Sequence, residues 1–167
     1  MSYYGAIGTS PLAELDKSVE KLLVDYLKTN YDQSITGVGV NAIRWEQYGI
    51  SGGDYSIYAQ SAGDFDISTE LSNSFFETDH YTELHIFARS LHDDYDRSAL
   101  KQLFLFEKWV KKVLRQNRLG LQDKGISCMY YNDTRHLPTE DDTQDIHRIV
   151  ITIYTKILII NNANLVG

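Results

Sequence analysis

Only one cysteine, Cys128, occurs in the chain, so no internal disulfide can form, and no CxxC pair is present to suggest zinc or redox chemistry. A reducing place of synthesis is the expectation. Long apolar runs are missing too. The longest, near residues 149–160, is interrupted by Thr152, Thr155 and Lys156, and falls short of the ~18 residues that span a membrane. Residues 1–9 lack the basic start and apolar run of a signal peptide. Positive charge is in deficit as well: 16 Lys and Arg face 23 Asp and Glu, a formal charge of −7 that repels a phosphate backbone. The one basic cluster, Lys108, Lys111, Lys112, Arg115 and Arg118, falls on a predicted helix. It reads as a solvated face balancing an acidic chain, with phosphate contact as the alternative.

What is present describes a folded protein. Hydrophobic residues make up 43% of 167 and charged residues 23%, the balance of a globular chain with one core. Twelve tyrosines against six phenylalanines and two tryptophans form a polar-tipped aromatic set suited to half-buried strands and protein contacts. The expectation is a single soluble α+β domain over residues 1–167, with 1–9 and 160–167 as extended termini.

Periodicity places the elements. Ser10 as N-cap and Pro11 at the first helical position start a helix. Leu12, Leu15, Val19, Leu22, Leu23, Tyr26 and Leu27 give it an apolar face, and it runs to about Thr29. A strand at 40–47, a Gly- and Ser-rich turn at 49–54 and a strand at 55–60 read as a hairpin. Residues 63–79 are irregular, holding either a short strand at 65–68 or a long projecting loop. Residues 81–90 alternate, with Thr82, Leu84, Ile86 and Ala88 on one face and Glu83, His85, Phe87 and Arg89 on the other. A second helix spans about 97–117, with Leu100, Leu103, Phe104, Glu107, Val110, Val113 and Leu114 at helical spacing and a stop near Gly120. Strands at 126–132 and 147–159 flank a polar connection, 133–145, that contains Pro138. The order α-β-β-β-α-β-β predicts a mixed or antiparallel sheet of about five strands with two main helices packed on it.

No catalytic or metal-binding signature stands out in the sequence. His80, His85, His92, His136 and His147 form no HxH, HExxH or HxxxH pair on a predicted helix. His92, Asp93 and Asp94 could ligate a divalent ion, but a helix-capping turn explains the same residues. Glu140, Asp141, Asp142 and Asp145 lack the alternating oxygen ligands, central Gly and terminal Glu of an EF-hand. Gly37, Gly39, Gly49, Gly52 and Gly53 fit no phosphate-binding pattern and read as turn glycines. No catalytic residue, cofactor or metal is therefore expected, and the chain reads as an assembly part rather than an enzyme.

The last strand carries Ile149, Ile151, Ile153, Ile157 and Ile159 on one face and Val150, Thr152, Tyr154, Lys156 and Leu158 on the other. Both faces are fairly apolar, as in a central strand or one covered by another subunit. Ile151, Ile153 and Tyr154 are thus candidates for the sheet core or an oligomer interface. Asp64, Asp66, Glu140, Asp141 and Asp142 are candidates for acidic loops near a partner or a pore.

Several runs resemble the tail terminator, or tail completion, family of long-tailed bacteriophages. They are Tyr81-Thr-Glu-Leu-His-Ile-Phe-Ala-Arg-Ser90, the acidic turn at 93–96, the helix at 99–114, Met129-Tyr-Tyr-Asn132, Glu140-Asp-Asp142 and Arg148-Ile-Val-Ile-Thr-Ile-Tyr154. They cover about the C-terminal half, and the first helix and hairpin match in order only. The chain departs from smaller members by a longer segment between Gly49 and Asp79 and by a tail, Asn161-Asn-Ala-Asn-Leu-Val-Gly167.

The resemblance implies a subunit of a homohexameric ring in the virion neck, made in the host cytoplasm, that caps the tail tube and ends its polymerisation. Its implied partners are the tail tube protein and the head-side connector. Genomic DNA would pass through the lumen without sequence-specific binding, and no membrane is involved. Three alternatives are a head-closure or tail tube protein of the same virion, a small metal-assisted enzyme, and an adaptor domain of a cellular complex.

Overall fold

The computed structural model describes residue 15 and residues 17–45, 55–72, 75–89, 98–137 and 146–160, with backbone alone at 63–72, 75–77 and 158–160. Helix α1, Val19–Thr29, is capped by Ser18, whose hydroxyl accepts the Lys21 N–H at 3.2 Å. Glu20 in its first turn and Lys28 in its last suit the helix dipole. The predicted start at Ser10 and Pro11 lies outside the described residues. Leu15 and Lys17, which that helix would have included, are not helical. Ser18 is a second cap signal closer to the buried stripe, and it sets the boundary.

A short helix α2, Gln33–Thr36, follows, capped by Asp32 and closed by Gly37 at φ 76°, where a Cβ would be strained. Strand β1 is only Ile43–Arg44 and follows a 3₁₀ turn at Val40–Ala42, so the run predicted as a strand from residue 40 is strand at two described positions. It pairs parallel with β2, Tyr55–Ser72, through Ile43↔Tyr55 and Arg44↔Ser56. The predicted hairpin between them is therefore corrected: the antiparallel partner of β2 is β3, Phe75–Arg89. The turn predicted at 49–54 lies outside the described residues.

The largest departure from expectation is in the segment read as irregular, where residues 63–72 continue β2 and 75–79 begin β3 rather than forming a projecting loop. Register shifts between Ser61 and Gly63, Phe65 and Thr69, and Glu70 and Ser72 break the two-residue alternation, so the sequence there looks irregular although the backbone stays paired. The same cause hides the length of β4, Ile126–Leu137, which bulges between Tyr131 and Asp133 and takes residues 133–137 out of the predicted connection. Strand β5 is Ile146–Ile160. The five-stranded mixed sheet has the order β1-β2-β3-β5-β4, an α+β architecture.

Helix α3, Ala99–Gln116, is capped by the Ser98 hydroxyl, which accepts the Lys101 N–H at 3.3 Å. Its buried stripe is Ala99, Leu103, Phe106, Trp109, Val110, Val113 and Leu114. Leu100 and Phe104, predicted on that stripe, are instead 50% and 56% exposed. They sit one position off the inward residues, about 100° around the helix. The core joins α1 and α3 to one sheet face through Ile57, Leu84, Ile86, Ile126, Met129, Ile149, Ile151, Ile153 and Ile157. Trp109 anchors it, meeting Tyr31 and Trp45 edge-on at 5.1 and 6.2 Å and donating its indole N–H to the Asn30 carbonyl at 3.1 Å.

Candidate functional site

The sheet face turned away from this core carries most of the polar and aromatic side chains that the alternation of β3 and β5 assigns to it. Register places Tyr81, Glu83, His85 and Phe87 opposite Tyr154, Thr152, Val150 and Arg148. Tyr58 of β2 stacks on His85 at 4.6 Å with the rings 4° apart, and also lies over Phe87 at 5.7 Å. The Arg148 guanidinium lies over the Phe87 ring at 5.2 Å and donates to His85 Nδ1.

That donation fixes the imidazole. With Nδ1 accepting, the ring is neutral and its proton sits on Nε2, 3.2 Å from the Glu83 carboxylate. Arg135 of β4 reaches across β5 to pair with the same carboxylate. Burial, then the neighbouring Arg148 charge, pushes the His85 pKa down, and Glu83 only partly opposes this. Both ring nitrogens are engaged, so His85 is built as a structural cross-tie and not as a free base.

Further along, Tyr154 donates to Asp79 at 2.6 Å, and its ring lies 5.2 Å from Tyr81 and 5.9 Å from Tyr130. Burial first and the Asp79 hydrogen bond second push the Tyr154 phenol up, so it stays a donor. Arg118, just beyond α3, lies over Tyr130 at 5.4 Å. This face is thus a quilt of aromatic rings pinned by two arginines, in which the Arg148 Nε is buried without a hydrogen-bond partner.

The predicted site residues are dispersed. Ile151 and Ile153 are fully buried on the helix-covered face, opposite Leu84 and Thr82. Tyr154 is on the other face, half-buried. Asp64 and Asp66 belong to the far half of β2 rather than to a loop: Asp64 pairs with His80, and Asp66 falls in the irregular stretch between Phe65 and Thr69. Glu140, Asp141 and Asp142 lie outside the described residues, as do His92, Asp93 and Asp94. Among the described residues no group of three or more His, Cys, Asp or Glu is placed to hold a metal ion. No described helix is long and apolar enough to cross a membrane.

Sequence reasoning missed two cross-chain ties. His80 meets Glu20 at 2.6 Å across 60 residues, and Arg148 meets His85 across 63. The alternation signals the face of each histidine, but its partner depends on register and helix placement.

No protein-family model matches the chain, and no curated protein matches it. Among solved structures, a chain from the virion of a native gene transfer agent particle aligns with a TM-score of 0.49 and 10% identity, over 80% of this chain and 90% of that one.

Proposed function

We propose that this chain is a structural subunit of a bacteriophage virion. In this reading it forms a sixfold ring on the end of the tail tube, stops tube growth and joins the tail to the head-side connector. The carrying observation is the length of the central strands relative to the helices. At ~3.3 Å per residue β3 extends about 50 Å, whereas α3 at ~1.5 Å per residue extends about 27 Å. The Glu20–His80 contact marks where the start of α1 meets β3. β4 ends its pairing at Ile126↔Ile157, level with Thr78 of β3, and past Thr78 the sheet continues as β2, β3 and β5 alone, out to Ser72↔Phe75 and Phe75↔Ile160.

This three-stranded arm pairs Phe75 with Ile160 and Phe76 with Ile159, so apolar residue types occupy facing register positions where the sheet is narrowest. A narrow, apolar-rich arm is suited to burial between neighbouring subunits or against a tube. It joins the resemblance of the C-terminal half to the tail terminator family in supporting the reading. The charge of −7 fits a ring whose wall lets a polyanion slide through without sticking.

The test is the mass of the full chain in solution by light scattering, with negative-stain imaging of the same sample with and without tail tubes. Rings of six, or rings seated on tube ends, support a terminator. Subunits that lengthen tubes indicate a tube protein, and subunits that ignore tubes but bind a portal-side ring indicate head closure. Stoichiometric metal in the purified protein would favour the enzyme alternative.

A further inference from the structure

The solvent side of α3 forms a shallow groove of about 550 Å³ lined by Phe104, Glu107, Lys108, Lys111, Lys112 and Arg115. Its charge is opposite to that of the remaining protein. Residues 99–118 hold six of the 16 basic residues and one of the 23 acidic ones, a local charge of +5 against −12 for the rest. Lys111 bonds Glu107 and lies over the Tyr131 ring at 4.6 Å, and Lys112 approaches Asp32 at 3.4 Å. Lys108 and Arg115 have no ion pair or hydrogen bond among the described residues. Phe104, one turn before Lys108 on the same helix, is 56% exposed.

We infer that this groove is a socket for the acidic run Glu140, Asp141, Asp142 and Asp145 of a second copy of the chain. The inference rests on the ring reading and names one of its contacts. Charge complementarity selects the occupant, because this is the densest acidic run in a chain that is strongly acidic outside α3. Chain length permits it: eight residues, 138–145, lie between the end of β4 at Leu137 and the start of β5 at Ile146. Size agrees as well, since the groove accepts a few side chains and not a folded surface. A nucleic acid fits less well: Lys108 and Arg115 are only about 10 Å apart along the helix, and the groove they line also holds the acidic Glu107 and the apolar Phe104.

The test uses the full chain in two charge-reversed forms, K108E/R115E in the socket and E140K/D141K/D142K in the loop. Unchanged far-UV circular dichroism and melting temperature check that each folds. Each form alone is expected to associate about tenfold or more weakly than the wild type in light scattering, with the difference shrinking at high salt. An equimolar mixture of the two is expected to assemble again, because every socket then meets a loop of opposite charge. Wild-type rings that tolerate K108E/R115E, or a loss that the mixture does not restore, would overturn the socket and leave the ring standing. K108E/R115E that lowers binding of a labelled oligonucleotide without touching assembly would also overturn it, assigning the groove to phosphate. A wild-type chain that stays monomeric with and without tubes removes the ring reading and the socket together.

Discussion

His80 Nε2 lies 2.6 Å from Glu20 Oε1, joining the first turn of α1 to the middle of β3, and Thr82 donates to the same carboxylate oxygen at 3.4 Å. The His80 ring is buried and its backbone carbonyl accepts from Thr155 at 3.2 Å, so one residue connects a helix and two central strands.

This tie predicts an acid-sensitive stability. The His80 hydrogen bond, more than any other cause, holds the Glu20 carboxyl below its usual range. A depressed carboxylate stabilises the fold fully above its unfolded pKa of about 4.3, and that contribution is lost as pH falls through the lower folded value. Urea unfolding followed from about pH 6 down to pH 3 should therefore slope more steeply for wild type than for Glu20→Gln. Glu20→Ala should cost about 1–3 kcal/mol at neutral pH. Identical acid slopes for wild type and Glu20→Gln would remove the linkage.

His85 predicts a separate window. Its folded pKa is pushed down, so its contribution is complete above the unfolded value of about 6.5 and is lost as pH drops below that toward the folded value. Wild type should weaken between about pH 7 and pH 5, while His85→Gln, which keeps a polar side chain there, should slope less over this interval. An imidazole proton resonance of His85 that titrates near 6.5 would contradict the Arg148-to-Nδ1 arrangement.

Trp109 is fully buried, and its indole N–H is satisfied by the Asn30 carbonyl. Trp109→Ala should cost about 3–5 kcal/mol and lower the melting temperature by roughly 6–20 °C. Trp109→Phe should cost less, because it keeps aromatic contact with Tyr31 and Trp45 but leaves the Asn30 carbonyl without its indole donor. Equal losses for the two variants would mean that the hydrogen bond, not the packing, dominates.

The sequence made the class of fold and the inward faces legible where periodicity is unbroken. Thr82, Leu84, Ile86 and Ala88 are buried together, as are Ile149, Ile151 and Ile153. It failed where geometry interrupts the period. The bulges of β2 turned a continuous strand into an apparent loop, and Leu100 and Phe104 looked inward because two apolar residues beside a stripe widen it without joining it. The parallel pairing of β1 leaves no local signal, since pairing direction depends on the path of the chain and not on the residues paired. The basic face of the second helix is legible from the spacing of Lys108, Lys111, Lys112 and Arg115, but the groove they line with Phe104 is not, because the spacing puts Phe104 on the buried stripe.

The two faces of β5 should separate stability from assembly. Ile153 is fully buried against the helices, so Ile153→Val should cost about 0.5–1.5 kcal/mol and Ile153→Ala about 2–5 kcal/mol in denaturant unfolding of the chain at low concentration. Tyr154 is on the opposite face, tied to Asp79 at 2.6 Å, and Tyr154→Phe should cost only about 1 kcal/mol while keeping the ring between Tyr81 and Tyr130. If a subunit contact used the Ile153 side, Ile153→Val would weaken association more than it weakens folding, and a concentration series of light scattering beside the unfolding curve would reveal it. The burial of Ile153 within one chain predicts the reverse: folding falls first, and association follows only through the loss of folded subunit.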